Sequence, residues 1–314
     1  MKLWSDLLAN ILSFVRKPAP APETHGLIGD FIRDWSIEVM PRTAAKIEDF
    51  RAILPWGTRV YVAHIDGTGF SDMLATARRI TDQGFDVMPH FPARVIENRA
   101  TLERMVRSYA DVGVRQALVL GGGLDAPRGE FSDSMQLLET GLFDAHGFSD
   151  IHVAGHPEGN RDIDHDGGTA NVSAALRWKN DFQTRTDARM AIATQFCFEA
   201  APVIAWADGL RASGITLPVH IGIAGPAKLQ TMIKFAMACG VGPSLRVLQR
   251  RAADLSKLMM PFEPDGILAD LAAHKAANPD FAVERVHFFP LGGISATTDW
   301  TAAASARTSL RARA

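Results

Sequence analysis

The chain has few cysteines, no basic excess and no long apolar run, and each absence argues against a class of protein. Only two of its 314 residues are cysteines, Cys197 and Cys239, and they form no CxxC pair, so neither a disulfide framework nor a zinc knuckle is expected. Lys and Arg number 33 against 35 Asp and Glu, so the basic excess of a nucleic-acid-binding protein is missing. No apolar run is long enough to span a membrane. These absences favour a cytoplasmic protein without nucleic-acid or membrane partners.

The N-terminal segment has apolar residues at helical spacing, namely Leu3, Leu7, Leu8, Ile11, Leu12 and Val15. This spacing predicts an amphipathic helix, followed by a stiff PAPAPE linker at 18–23. A signal peptide is the alternative, but Asp6 interrupts the apolar stretch and two basic residues follow it. We therefore divide the chain into an N-terminal helix with its linker, residues 1–23, and a main domain, residues 24–314.

Eight short apolar runs alternate with longer amphipathic stretches. The runs occupy residues 34–41, 57–65, 85–93, 114–122, 149–157, 190–198, 218–225 and 285–293. Three helical stretches, 73–84, 100–113 and 201–214, each end in the glycine that commonly stops a helix. Strands that alternate with helices form parallel sheets. Eight such units predict an α/β fold with a single (β/α)8 TIM barrel, and a doubly wound open sheet is the alternative.

One carboxyl group stands inside an apolar strand. Glu38 is flanked by Ile37 and Val39, and burial among such neighbours raises the pKa of a carboxyl group. Active sites of TIM barrels lie at the carboxyl ends of the strands, where a protonated Glu38 would act as a general acid. The alternative is a structural ion pair, for example with Arg42.

Three consecutive glycines, Gly121, Gly122 and Gly123, follow the fourth apolar run. They do not match a dinucleotide-binding fingerprint, which opens a helix, because Pro127 soon follows and starts a loop. Glycine allows a flat ring or a phosphate to approach the backbone closely. A tight turn between strand and helix is the alternative.

The most polar segment, residues 156–168, begins a calcium-loop pattern with Asp162, Asp164 and Asp166. The glutamate that the pattern needs at its twelfth position is replaced by Ser173. We therefore expect a solvated acidic loop and no metal site.

Three residues near the later strand ends are candidates for substrate binding. Gln195 lies among apolar neighbours, where a buried amide either ties down backbone or binds the edge of a substrate. Phe198 and Phe235 are candidate stacking surfaces, with core packing as the alternative.

Seven segments carry a resemblance to a known family, in order along nearly the whole chain. They are SIEVMPRT (36–43), MPHFPA (88–93), GVRQALVLGG (113–122), VAGHPEGN (153–160), ATQFCFE (193–199), PVHIGIAGPAKLQTMIKFAMACGV (218–241) and VHFFPLGG (286–293). Together they resemble the methylenetetrahydrofolate reductase family of FAD-dependent barrels. The resemblance implies an oxidoreductase that interconverts 5,10-methylene- and 5-methyltetrahydrofolate, with NADH, NADPH or another carrier as electron partner. It also implies a homo-oligomer, since relatives often form one.

The resemblance assigns roles to individual residues. Glu38 matches the family's general acid, which protonates the folate so that its methylene bridge opens. Gln195 matches a glutamine that contacts folate and nicotinamide in turn, and Phe235 matches an aromatic that stacks on the ligand. Lys179 would offer its charge to the flavin or its phosphates. The full set at positions where the family contacts FAD is Ala63, His90, Leu120, Gly121, Gly122, Gly123, Ala154, Gly155, His156, Asn160 and Lys179.

Some of these positions depart from the family's usual residues. The departures are Gly123 for an aspartate, Gly293 for an arginine, His156 for a tyrosine, Ala63 for a threonine, and Asn171 or Val172 for an FAD-contacting aspartate. Loss of the aspartate charge near the flavin N1 favours the reduced, anionic ring. We therefore hypothesise a divergent member suited to oxidising 5-methyltetrahydrofolate. The alternative is a folate-binding or methyl-transferring barrel that has lost flavin.

Overall fold

The computed structural model describes residues 22–238 and 261–311, and it contains a closed barrel of eight parallel strands. The strands are β1 (Ser36–Val39), β2 (Arg59–Val62), β3 (Asp86–Pro92), β4 (Gln116–Leu120), β5 (Asp150–Gly155), β6 (Arg189–Cys197), β7 (Val219–Ala224) and β8 (Val283–Phe289). β8 returns to pair with β1, where Ser36 lies opposite His287. The predicted TIM barrel is therefore confirmed, and the open sheet is excluded because such a sheet leaves two edge strands unpaired.

Helices follow the strands and surround the barrel. They are α1 (Pro22–Phe31), α2 (Pro41–Ala44), α3 (Phe70–Asp82), α4 (Arg99–Asp111), α5 (Ser134–Glu139), α6 (Leu142–Ala145), α7 (Ala170–Phe182), α8 (Ala200–Ala212), α9 (Leu229–Ala238), α10 (Asp265–Ala277) and α11 (Ile294–Arg311). The three helices predicted from periodicity are confirmed as α3, α4 and α8. In the described part of the chain, no helix is both long enough and apolar enough to cross a membrane.

The glycines predicted to stop these helices adopt the conformation that the role requires. Gly84, Gly113 and Gly214 have φ values of 89°, 84° and 78°. This left-handed backbone ends a helix and disfavours any residue with a side chain.

Side chains of the strands alternate between two environments. Ile37, Val39, Val60 and Val62 are at most 2% exposed and pack in the apolar layer between barrel and helices. The intervening positions face the barrel axis, and many are buried polar groups: Ser36, Tyr61, Gln116, Asp150, His152, His220 and His287. TIM-barrel interiors are usually filled by branched apolar side chains, so a polar interior sets this barrel apart.

The first described helix, α1, packs against α10 and α11. Ile28 and Ile32 are buried at 1% and 0% exposure. The Gly29 amide donates to the Thr308 hydroxyl at 3.1 Å, a contact that leaves no room for a side chain at Gly29. α1 is therefore part of the barrel's helical layer.

The predicted linker, residues 18–23, was placed too far along the chain at its end. Pro22 and Glu23 already belong to α1. Proline is favoured in the first turn of a helix, where its missing N–H would have no partner, so a Pro/Ala run is compatible with both a linker and a helix start. The amphipathic helix predicted earlier in 1–23 lies outside the described residues, as does Cys239.

Gly222 in β7 has no room for a side chain. A Cβ there would lie 2.5 Å from the Thr194 carbonyl oxygen and 2.6 Å from that of Gln195, both on the neighbouring strand. A Cβ added at Gly209, in α8, would meet no described atom within 4 Å beyond its own helix and chain neighbours.

We expect Gly222→Ala to lower the free energy of unfolding by about 1–3 kcal/mol, because backbone of β6 must move to admit the methyl group. Gly209→Ala is the control and should raise stability by up to about 1 kcal/mol, because alanine favours helix over glycine. Urea denaturation followed by circular dichroism measures both. Equal stability of the two variants would contradict the close packing of β6 on β7.

Candidate active site

Glu38 lies near the carboxyl end of β1, beside two histidines from other strands. Its Oε2 is 3.4 Å from His90 Nε2 on β3 and 3.8 Å from His287 Nε2 on β8. The side chains of Glu38, His90 and His287 are 19%, 12% and 2% exposed. The structure thus brings together two residues identified from sequence and adds His287, which was missed. Among the described residues, the basic side chains within 4 Å of the Glu38 carboxyl group are these histidines, which are charged only when protonated, and the predicted partner Arg42 is not among them.

The expectation that Glu38 has a raised pKa is wrong. Burial raises the pKa of this carboxyl group, but hydrogen bonding and charge from His287 and His90 outweigh burial and lower the pKa to about 2. Glu38 is therefore a carboxylate at neutral pH, the form that has room for a proton. The direction of the pKa shift of Glu38 could not be predicted from its flanking residues, because both histidines come from strands distant in the chain.

Three buried histidines near the barrel axis escaped sequence analysis: His152 on β5, His220 on β7 and His287 on β8. The His287 ring lies 4.2 Å from that of Tyr61, and the His220 ring 4.4 Å from that of His152, between centroids. Burial lowers the pKa of all three imidazoles. A signal was present in the strands IHVA, VHIG and VHFF, where histidine occupies the alternate position that faces the axis.

The glycine run forms an open loop after β4. Within the described part of the chain, only chain neighbours lie within 4 Å of where a Cβ would stand at Gly121 or Gly123, while Gly122 has a φ of 93°. Arg94 holds the loop, because its amide donates to the Gly121 carbonyl at 2.9 Å and its guanidinium to the Leu124 carbonyl at 2.7 Å. The next described helix begins only at α5, so the loop is not a helix-opening fingerprint.

Two further candidates for cofactor binding lie at the same end of the barrel. Ala63 is buried just after β2, and its amide donates to the Val39 carbonyl at 2.8 Å. Leu120 is half-buried at the end of β4 and packs beside the interior cluster that includes Tyr61 and Leu118. Both residues therefore shape the floor of the mouth by packing.

A cavity of about 250 Å³ lies between α7 and α8 beside the end of β5. Its lining includes four candidates for FAD binding: Ala154, Gly155, His156 and Lys179. Gly155 has no room for a side chain, because a Cβ would overlap Ile192. The fifth candidate in this region, Asn160, lies next to the cavity with its amide nitrogen 3.5 Å from His156 Nδ1.

Lys179 is the buried cation of this cavity. It is 6% exposed and donates to the Ala154 carbonyl at 3.1 Å. Burial lowers the pKa of its amine to about 8, so the amine is still mostly charged at pH 7. Burial and the charge of Lys179 together lower the pKa of His156 to about 4. The cavity therefore presents a buried cation, Lys179, and a neutral imidazole, and the exposed Arg177 also belongs to its lining.

The polar segment that resembled a calcium loop caps a helix. The Asp164 carboxylate accepts from the backbone amides of Asn171 at 2.8 Å and Val172 at 3.0 Å, in the first turn of α7. Asp164 is 3% exposed, so the expectation of a fully solvated loop is wrong for this residue. Among the described residues, no group of three or more His, Cys, Asp or Glu side chains is arranged to hold a metal.

Gln195 lies at an irregularity of β6, where pairing with β7 shifts between Ala193 and Phe196. Its side-chain oxygen accepts from the Phe196 amide at 3.1 Å. The side-chain oxygen therefore binds a backbone amide of the same strand, which is one of the two roles expected for Gln195 from the sequence.

The two candidate phenylalanines differ in exposure. Phe198 is 8% exposed and contacts Phe196 and Phe262 edge-on, with centroids 5.6 and 5.7 Å apart. This placement favours core packing for Phe198. Phe235 on α9 is half-buried against the same aromatic cluster, so it retains accessible ring surface.

The fold is shared with a solved structure of very low sequence identity. An uncharacterized protein from Clostridium thermocellum, which binds two copies of 5-methyl-5,6,7,8-tetrahydrofolic acid, matches with a TM-score of 0.53 at 7% identity, over 91% of this chain and 98% of that chain. Yersinia pestis DHPS with a pterine-sulfa conjugate gives a TM-score of 0.43 at 10% identity, over 88% and 94% of the two chains. No protein-family model matches the chain. The similarity to the Clostridium thermocellum protein supports the barrel fold alone.

The buried histidines make stability depend on pH. Because burial lowers the pKa of His152, His220 and His287, the unfolded chain binds protons near pH 6.5 that the folded chain does not. The stability is therefore full above pH 7 and falls as the pH drops below 6.5, by up to about 1.4 kcal/mol per pH unit for each histidine.

We expect His220→Asn to make this dependence between pH 7.5 and 5 shallower, as measured by urea denaturation at several pH values. The matched control is His165→Asn, which removes an exposed imidazole. The same slope in His220→Asn and wild type would show that His220 takes up its proton in the folded state.

Proposed function

We propose that the chain is an FAD-dependent oxidoreductase that interconverts 5,10-methylenetetrahydrofolate and 5-methyltetrahydrofolate, with oxidation of the methyl form favoured. The observation that carries the proposal is the carboxylate of Glu38 held beside His90 and His287 at the barrel mouth. Interconversion of the two folates moves one proton as well as one hydride, so the site must hold a group that exchanges a proton. Glu38 with its two imidazoles is such a group.

The ionised state of Glu38 is compatible with the oxidising direction. In the oxidising direction a hydride leaves the methyl carbon, N10 then bonds to that carbon, and the N10 proton must go to a base. An ionised Glu38 is that base, and in the reductive direction the same group returns the proton as an acid. The glycine at position 123, in place of an acidic residue, supports the same direction because less negative charge faces a reduced flavin.

The residues after β4 and β5 fit a flavin dinucleotide. The open loop Gly121–Gly123 leaves backbone accessible to a flat ring, and Lys179 offers a buried positive charge to a phosphate. The cavity of about 250 Å³ beside Lys179 is smaller than the roughly 300–1,000 Å³ of sites that enclose a drug-sized ligand, so it would take only one part of FAD. The chemistry that bound FAD supplies is hydride transfer between the folate and a nicotinamide or another carrier.

A pterin ring would meet two unlike surfaces of the mouth. One surface is polar, with Glu38 and His90. The other is the aromatic cluster that contains Phe196 and Phe289, with Phe235 beside it. Flat rings stack on aromatic side chains, while the amide nitrogen of Gln195 is available to donate to a polar ring edge. The proposed ligand is therefore a tetrahydrofolate derivative.

A second candidate function is a folate-binding or methyl-transferring barrel without flavin. It is favoured by the similarity in fold to the Clostridium thermocellum protein that binds 5-methyl-5,6,7,8-tetrahydrofolic acid, and by the absence of an acidic residue at Gly121–Gly123. This candidate needs the pterin site and does not need Lys179.

The absorbance spectrum separates the two candidates. We expect protein purified or reconstituted with FAD to be yellow, and anaerobic 5-methyltetrahydrofolate to bleach it because the methyl group reduces the flavin. Protein that stays colourless but binds 5-methyltetrahydrofolate by calorimetry would establish the second candidate. Separate addition of NADH and NADPH identifies the electron partner, and binding of neither FAD nor folate would contradict both functions.

We expect Glu38→Gln to slow the bleaching by 5-methyltetrahydrofolate by about 10²–10⁴-fold, the usual contribution of a general acid or base. The flavin spectrum should not change, because Glu38 is not among the residues proposed to hold FAD. Glu103→Gln removes an exposed carboxylate on α4 and serves as the control. Rapid-mixing absorbance measures the rates, and an unchanged rate in Glu38→Gln would mean that Glu38 is only an ion-pair residue.

A further inference from the structure

One arginine joins two loops of the barrel mouth. Arg94 lies in a short 3₁₀ turn, Ala93–Val95, that follows β3. Its guanidinium donates through Nη1 to the Leu124 carbonyl at 2.7 Å and through Nε to the Ser132 carbonyl at 3.0 Å. Both carbonyls belong to the loop after β4. A single side chain from one loop therefore holds the next loop near its beginning and near its end.

The main chain around Arg94 contacts the same loop. The Arg94 amide donates to the Gly121 carbonyl at 2.9 Å, and the Arg94 carbonyl accepts from the Arg128 amide at 2.8 Å. Three residues further along, the Glu97 carbonyl accepts from the Glu130 amide at 2.9 Å. The loop after β4 is thus fastened to the loop after β3 along most of its length, and Arg94 supplies four of these five hydrogen bonds.

The hydrogen bonds leave the donors of the glycine run available. The Gly121 carbonyl is occupied by Arg94, but in the part of the chain that the structure describes the amides of Gly122 and Gly123 donate to no acceptor. Gly122 has a left-handed backbone, with a φ of 93°. Successive amides around such a residue form a concave group of donors that favours negative charge. A flavin edge that gains negative charge on reduction would find two fixed donors here.

We propose that Arg94 is a positioning residue for the flavin, because it fixes the loop after β4 with the amides of Gly122 and Gly123 directed at the ring edge that becomes negative on reduction. The inference rests on the proposed function, which places FAD against this loop. Arg94 is outside the set that the family resemblance assigns to FAD, and its role requires no contact with the cofactor. Donors that are already held in place need no reorganisation when the charge develops.

The geometry of the contacts requires an arginine. A guanidinium carries donors on separate nitrogens in one rigid plane, so it can serve two carbonyls at once, whereas a lysine has a single nitrogen on a flexible stem. The other ion pair of this loop joins Arg128 to Asp66 at 2.7 Å, with side chains 53% and 60% exposed. Such an exposed pair contributes little. Arg128 therefore offers a matched control on the same loop.

Hydrogen exchange tests the fastening before any FAD is added. We expect Arg94→Met to speed exchange of the Arg128 and Glu130 amides by about tenfold or more, because local opening of the loop no longer breaks the two guanidinium hydrogen bonds. Arg128→Met should leave the Glu130 amide at its wild-type rate. Unchanged exchange in β3 and β4 shows that the effect is confined to the loop. A wild-type rate at both amides in Arg94→Met would overturn the proposal.

The reduction potential of bound FAD tests the positioning role, because a loop that only supported the fold would not change it. We expect Arg94→Met to lower the potential towards that of free FAD, with the preference of the site for reduced over oxidised FAD falling about tenfold, because mobile amides stabilise the reduced ring less. Arg94→Lys should resemble Arg94→Met, and Arg128→Met should keep the wild-type potential. Equilibration with a reference dye, at saturating FAD, measures all four proteins.

A second variant displaces the loop while leaving Arg94 intact. A Cβ at Gly129 would overlap the Glu97 carbonyl group, so Gly129→Ala must push the two loops apart. We expect the same fall in potential, which keeps the test decisive if Arg94→Met fails to fold.

The outcomes separate this inference from the proposed function. Wild-type protein that binds FAD and is bleached by 5-methyltetrahydrofolate, with an unchanged potential in Arg94→Met and Gly129→Ala, would overturn the role of Arg94 alone. Wild-type protein that binds no FAD would overturn both. A lowered potential in these variants and a wild-type potential in Arg128→Met would establish Arg94 as a positioning residue, whether or not the folate reaction follows.

Discussion

The closure of the barrel around polar side chains is the constraint on which the site depends. Parallel pairing places Glu38 opposite Tyr61 and Ser36 opposite His287 in the ladders. Alternation then turns all four side chains toward the same axis. Buried polar groups must find partners, and here Ser36 Oγ lies 2.9 Å from His287 Nδ1 while the Tyr61 hydroxyl contacts His152 Nδ1. The apolar layer under the helices supplies most of the burial that stabilises the fold. The chemistry of the mouth is therefore determined partly by groups deep inside the barrel.

The barrel itself could be predicted because its signals are local. Each strand is a short apolar run, and helices such as α3 and α4 end at glycines whose positive φ the sequence could anticipate. The start of α1 could not be predicted in the same way, because a proline run fits both an extended linker and the first turn of a helix. Only packing against α10 and α11 decides between the two.

The sequence predicted which residues form the site better than it predicted their pKa values. Glu38 and His90 could be named from a family pattern, and the structure places them 3.4 Å apart. The pKa of Glu38 could not be predicted in sign, because it depends on His287, a residue whose strand closes the barrel at the far end of the chain. Phe198 shows a related limit, since an aromatic at a strand end can face either a ligand or the core, and neighbours from other elements decide which.

The irregular pairing at Gln195 has a consequence for how the mouth could change. Ala193 belongs to the interior cluster and Phe196 pairs with Gly222, so the shift in register between them brings side chains from both sides of the irregularity toward the axis. A shorter β6 that lacked one residue here would regain a regular ladder and would lose one of those side chains. The lining of this part of the mouth is thus set by the length of a strand as well as by the identity of its residues. Insertions and deletions, rather than substitutions alone, are therefore a route by which this barrel could alter what it binds.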